Sequence, residues 1–160
     1  MRKEKRRYIL IATIIIIIFL IGLYIFKTNT GTLVCTASNL ENGMKYETTY
    51  TVTYKNGKAL SLKSVEKITF SDEKELKPYK DKLEEMYKPY NELEYYQNDL
   101  SIRNNTLNSI TEINYKEIDL KELIKLDNTV ENLLDDKDNV LVTKLRKQYI
   151  ESGAKCHYKN

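Results

Sequence analysis

The chain has 160 residues, 41% hydrophobic and 31% charged, with 26 basic and 23 acidic side chains and a net charge of +3. That length allows one domain with a real core and is too short for two domains plus a membrane anchor. The positive charge is concentrated at the N-terminus. Setting aside the basic residues up to Lys27, together with Glu4, leaves twenty basic and twenty-two acidic residues, and no basic patch remains to suggest a nucleic-acid partner.

From Tyr8 to Phe26, YILIATIIIIIFLIGLYIF runs nineteen residues without a charge. As a helix it would be about 28 Å long at ~1.5 Å per residue, close to the ~30 Å of a bilayer core. One N-terminal transmembrane helix is predicted, with the lipid bilayer as the partner of residues 8–26. Arg2, Lys3, Lys5, Arg6 and Arg7 precede the run and only Lys27 follows directly, which places the N-terminus in the cytoplasm and the rest outside. Residues 1–31 are read as basic flank, membrane helix and spacer, and residues 32–160 as one extracytoplasmic domain anchored in the cell membrane. A cleaved signal peptide is the competing reading. Against it, the run exceeds the usual ~7–15 apolar residues and no A-x-A-like site follows.

TLVCTAS (32–38) reads as the first strand and NLENG (39–43) as a turn. Cys35 is not a lipoprotein cysteine: Val34 stands where a small residue is needed, and the cysteine lies nine residues past Phe26. MKYETTYTVTY (44–54) alternates, with Tyr46, Thr48, Tyr50, Val52 and Tyr54 on one face, as a half-buried antiparallel strand does. KNGK then signals a hairpin. A three-residue Lys55-Asn56-Gly57 loop would set Val52 opposite Leu60 and Tyr50 opposite Leu62, bringing apolar faces together; a two-residue loop would set Val52 opposite Ser61. The first is preferred, with Gly57 in the left-handed region. The third strand, KALSLKSVEKITF, shifts its apolar phase at Val65, which predicts a bulge or twist near Ser64.

Ser71 is the expected cap of a helix with an acidic first turn and an apolar stripe of Leu76, Tyr79, Leu83, Met86, Tyr90 and Leu93. Pro78 is expected to mark its start or a bend. A second hairpin is placed around Asn104-Asn105. In EIDLKELIKL, Asp119 caps a helix, Glu122 completes a capping box, and Ile118 with Leu123 forms a hydrophobic staple. TVENLL is helical, DDKDN is an acidic turn, VLVTKLRKQYIES is a helix ending at Gly153, and AKCHY is a closing strand. The order predicts an α+β fold, an antiparallel β-sheet packed by α-helices.

Motifs of chemistry are sparse. His157 adjoins Cys156, but neighbours on a strand point to opposite faces, so the two cannot form a local nucleophile pair. Two cysteines and one histidine give no zinc spacing, and DDKDN lacks the glycine and distal glutamate of a calcium loop. Glu84-Glu85 sits on the charged side of its helix, and no phosphate loop, dinucleotide fingerprint or G-x-S-x-G occurs. No catalytic, cofactor-binding or metal residue is assigned. A disulfide between Cys35 and Cys156 is expected, because both lie in strand-like stretches near the ends of an exported domain. Two buried free thiols are the alternative.

YETTYTVTYKNGKALSLKSVEKITF, ITEINYKEIDLKELIKL and LRKQYIESGAKC resemble the YehR-like family of small bacterial cell-envelope proteins. The resemblance implies an α+β fold over roughly residues 32–158 and supplies no catalytic residues. Members of that family are typically cleaved lipoproteins, a pattern from which this chain departs. The expected function is a membrane-anchored extracytoplasmic binding or interaction module, not an enzyme, whose partner is an envelope protein or a small ligand. An accessory subunit of an envelope complex is the second reading, and a hydrolase with a dispersed site the third. A pocket lined by Tyr46, Tyr50, Tyr54 or Tyr90 would favour ligand binding, an exposed apolar patch a protein partner.

Overall fold

The computed structural model describes residues 30–41 and 43–159. The predicted membrane span, 8–26, and its basic flank lie outside the described residues, among which no helix is long and apolar enough to cross a membrane. Six strands form one antiparallel sheet: β1 (Thr30–Glu41), β2 (Met44–Lys55), β3 (Lys58–Thr69), β4 (Tyr96–Arg103), β5 (Thr106–Asn114) and β6 (Lys155–Lys159), in the order β4-β5-β3-β2-β1-β6. Helix α1 (Glu73–Asn91) lies over β4 and β5; α2 (Leu120–Leu126), a 3₁₀ turn (Asn128–Leu133) and α3 (Val142–Glu151) follow, with α3 against β6. The expected α+β class is what forms.

The alternation of β2 appears as expected, with Val52 buried, Tyr46, Tyr50 and Tyr54 half-buried, and Lys45, Glu47 and Thr53 exposed. The hairpin register differs from both expectations. Lys55 pairs with Lys58 across a two-residue turn, and Asn56 (φ 53°) and Gly57 (φ 77°) are both left-handed, as a type I′ turn requires. The register then shifts, because Tyr54 faces Ala59 while Thr53 faces Ser61. Leu60 is therefore the bulged residue, and Ser64 is not. The extra residue sets Val52 opposite Leu62, so the apolar faces meet by a bulge and not by a longer loop.

Segment 140–142, expected as helix, is tied instead to this hairpin. The Ala59 amide donates to the Val140 carbonyl at 2.8 Å, and the Val142 amide to the Gly57 carbonyl at 3.0 Å. Satisfying those backbone groups delays α3 to Val142.

Asp72, not Ser71, caps α1, accepting from the Lys74 amide at 2.9 Å. The Ser71 hydroxyl donates to the Gly43 carbonyl. Helix α1 starts five residues before Pro78 and runs through Pro89; both prolines are exposed, where water can satisfy the carbonyl each leaves free. Met86 is also exposed, and Tyr87 takes its expected place on the buried stripe. Asp119 caps α2 through the Lys121 and Glu122 amides, at 2.9 and 3.3 Å, and Ile118 and Leu123 share one buried cluster as a staple should. The Glu122 carboxylate pairs with Lys125, so the return half of the capping box is not made.

Strand β6 closes the sheet beside β1. Cys35 lies directly opposite Cys156, with Cα atoms 4.0 Å apart, and the two sulfurs are bonded. The disulfide belongs to a core of Leu33, Val52, Leu62, Leu145 and Tyr149, in which Leu33, Cys35 and Val52 are fully buried. The alternative of two free thiols is overturned.

Candidate functional site

The register places four rows of side chains across the helix-covered face of β4, β5, β3 and β2. The outer two rows are Tyr96-Ile113-Leu62-Val52 and Ile102-Leu107-Ile68-Tyr46. They are largely apolar, as packing against helices requires. The two rows between them are Asn98-Thr111-Ser64-Tyr50 and Leu100-Ser109-Glu66-Thr48. A polar band therefore crosses the middle of the covered face. On β3 its residues are Ser64 and Glu66, in phase with Leu62 and Ile68. The phase break read in the sequence as a bulge is this band. Val65, which caused that reading, pairs with Thr49 and Ile110 on the other face.

Asn98 anchors one end of the band and is 7% exposed. Its Nδ2 donates to Ser109 Oγ at 2.9 Å and Thr111 Oγ1 at 2.8 Å, while its Oδ1 has no partner. Asn91, the last residue of α1, clasps the Asn98 backbone, accepting from its amide at 2.6 Å and donating to its carbonyl at 3.1 Å. That clasp fixes the end of α1 on β4.

Glu66 is half-buried and takes part in none of the ion pairs among the described residues. Burial raises its pKa above the ordinary carboxylate value. Its charge acts on three tyrosines. Burial, reinforced by the Tyr46 hydroxyl and then by Glu66 itself, pushes Tyr79 up to about 12. Tyr50 and Tyr87 are raised first by burial and next by the Glu66 charge; the neighbouring Ser109 offsets part of the rise at Tyr87. Tyr50 stacks on Tyr149 of α3, with ring centroids 4.1 Å apart and planes 7° from parallel.

Two grooves reach the band. One, of about 200 Å³, runs along β1 and β2 past Ala37, Asn39, Tyr46, Thr48, Tyr50 and Ser152, with Glu41 at its lining. The other, of about 640 Å³, lies between α1 and β4, lined by Glu84, Glu85, Tyr87, Lys88, Asn91, Glu92, Asn98 and Asp99. Chemically the band offers one carboxylate, several hydroxyls and the faces of tyrosine rings.

Of the four tyrosines expected around a pocket, Tyr46 and Tyr50 line the first groove. Tyr54 packs edge-on to Tyr158, with centroids 5.7 Å apart, and Tyr90 donates to the Leu126 carbonyl at 3.1 Å, so neither lines it. Cys35 and Cys156 meet in the disulfide. His157 pairs with Val34 on the opposite face of the sheet and is exposed. In DDKDN, the Asp135 carboxylate accepts from the Lys137 and Asn139 amides, both at 2.9 Å, and these donors with the Asn139 side chain lower its pKa to about 2. Glu66, Tyr79, Tyr87 and Asn98 were missed. The available clue was two polar residues standing in phase with Leu62 and Ile68.

No family model matches the chain, and no curated protein matches it. Two solved structures are similar. The NMR structure of E. coli YehR superposes with a TM-score of 0.56 at 20% identity, over 77% of this chain and 88% of that one. The NMR structure of a protein from Streptococcus pneumoniae TIGR4 gives 0.55 at 23% identity, over 81% and 87%. At these identities the likeness establishes the fold, and the chain has the fold of the YehR structure.

Proposed function

We propose that this protein is a membrane-tethered binding module of the bacterial cell envelope, anchored by residues 8–26 with its N-terminus in the cytoplasm, and that it takes a small ligand at the polar band. The observation that carries the reading is Glu66 among Ser64, Ser109 and Thr48, on a face where packing alone selects apolar side chains. A polar band kept there at the expense of packing, and reached by a groove, is how small-molecule sites are built. The disulfide supports placement outside the cytoplasm, where such bonds persist.

Screening fragment mixtures against the full-length protein by NMR tests the binding half. Saturable shifts of the Tyr46 and Tyr50 ring signals are expected, and a screen that moves neither overturns it. Protease added to intact spheroplasts tests the anchor. Digestion of residues 32–160 is expected; full protection overturns the topology.

A further inference from the structure

We infer that the open edge of β4, beside helix α1, takes an extended basic segment of a partner protein, which joins the sheet as an added strand. The inference concerns a second surface and stands or falls independently of the ligand proposed for the polar band.

Strand β4 is the outermost strand on its side of the sheet. Asn91 occupies both backbone groups of Asn98, so Asn98 and Thr111 do not exchange backbone hydrogen bonds. By antiparallel alternation, the amides and carbonyls of Tyr96, Leu100 and Ile102 also point away from β5. The chain closes the first half of this edge itself. The Tyr96 amide donates to the Leu93 carbonyl at 3.3 Å, and Asn91 covers Asn98. The second half is open. Among the described residues nothing bonds the outward groups of Leu100 and Ile102, and the Ile102 side chain is exposed. Evenly spaced free donors and acceptors on an edge are what an incoming strand pairs with.

The groove between α1 and β4 runs beside this edge and is lined by Leu100 and Asn98. Alternate side chains of an added strand would point to the helix-covered face, into that groove. Two observations select basic ones. Asn98 Oδ1 is buried in the groove wall without a partner and can only accept a hydrogen bond. Glu84, Glu85, Glu92 and Asp99 line the groove against one cation, Lys88. Glu84 pairs with Lys80, while Glu85 and Glu92 have no ion-pair partner among the described residues. Their field draws a basic segment in. The same acids disfavour a second copy as the occupant, since pairing two β4 edges would bring two acidic grooves side by side.

The test titrates isotopically labelled full-length protein in zwitterionic micelles with three decapeptides. One alternates lysine and threonine, one has glutamate for lysine, and one is the lysine peptide with its backbone nitrogens methylated. The lysine peptide is expected to shift the Leu100 and Ile102 amide signals saturably and to slow their hydrogen exchange about tenfold or more. The other two should bind about tenfold more weakly, or worse. Glu85→Gln with Glu92→Gln should weaken the lysine peptide about fivefold. Ile102→Pro, which removes one outward donor at an edge position, should weaken it about tenfold; if that variant does not fold, the methylated peptide makes the same test on the wild-type chain. A glutamate peptide that binds as tightly overturns the basic partner. A methylated peptide that binds as tightly as its parent overturns strand addition. No shift at Leu100 or Ile102 overturns the inference, and so does slow exchange there in the protein alone, through a second copy or the chain's own basic residues 2–7. The Tyr46 and Tyr50 ring signals decide the band's ligand separately.

Discussion

The two halves of the covered face solve the same problem in opposite ways. Under α3, the sheet presents Leu33, Cys35 of the disulfide and Val52, all fully buried against Leu145 and Tyr149. Under α1, apolar rows stand at each side, but Glu66, Ser64, Ser109 and Asn98 run between them. The first half is built as folding stability alone would build it. The second gives up apolar burial worth roughly 25 cal/mol per Å² at the positions where an isoleucine or valine would pack. The difference teaches where a polar site can be kept: the stapled half holds the domain together, so the other half can carry the polar groups of the proposed site.

The largest effect that would sharpen this contrast comes from the disulfide. Replacing Cys35 and Cys156 together by alanine should cost about 2–5 kcal/mol, since the bridge closes a loop spanning 121 residues. Urea unfolding of variant and wild type measures it. A loss below about 1 kcal/mol would mean that the stapled half does not dominate stability. Next, Leu33→Ala should cost about 2–5 kcal/mol through lost burial and the cavity left behind. A denaturation midpoint that hardly moves would break the description of that half as close-packed.

The polar half should respond differently. Asn98→Ala removes two hydrogen bonds to Ser109 and Thr111 and should cost about 1–3 kcal/mol. An unchanged midpoint would show that the buried amide contributes no net stability.

Glu66→Gln should act in the reverse direction, by a small stabilisation, since solvent screens a half-buried group. Burial raises the folded-state pKa of Glu66 above its ordinary 4.5, so the folded chain binds its proton more tightly than the unfolded chain. The fold therefore loses stability as pH climbs from 4.5 through the raised value, and the loss is complete above it. Burial raises Tyr50, Tyr79 and Tyr87 above the ordinary tyrosine value, which leaves this window clear. Melting curves should show the glutamine variant more stable at about pH 7 and equal to wild type near pH 3.5. A variant less stable at neutral pH would mean that Glu66 has a stabilising partner after all.

Local chemistry was legible in the residues themselves. The alternation of β2, the left-handed Gly57 of the KNGK hairpin, the Asp119 cap with its Ile118–Leu123 staple, and a disulfide between the first and last strands all follow from short-range geometry and chain ends. All but the disulfide depend on backbone sterics or on neighbours three or four residues away, which a sequence records directly; the disulfide follows from two cysteines near the ends of one domain. The bulge at Leu60, the late start of α3 and the polar band were decided elsewhere. Leu60 bulges where the β2–β3 hairpin tip is also bound by residues 140–142, some eighty positions on in the chain. Glu66 joins the polar band because Ser109 lies beside it on β5, under the helix α1 that packs over β4 and β5. Burial is a property of what lies across the sheet. A charged residue in a strand therefore reads the same from sequence whether water or a tyrosine ring faces it.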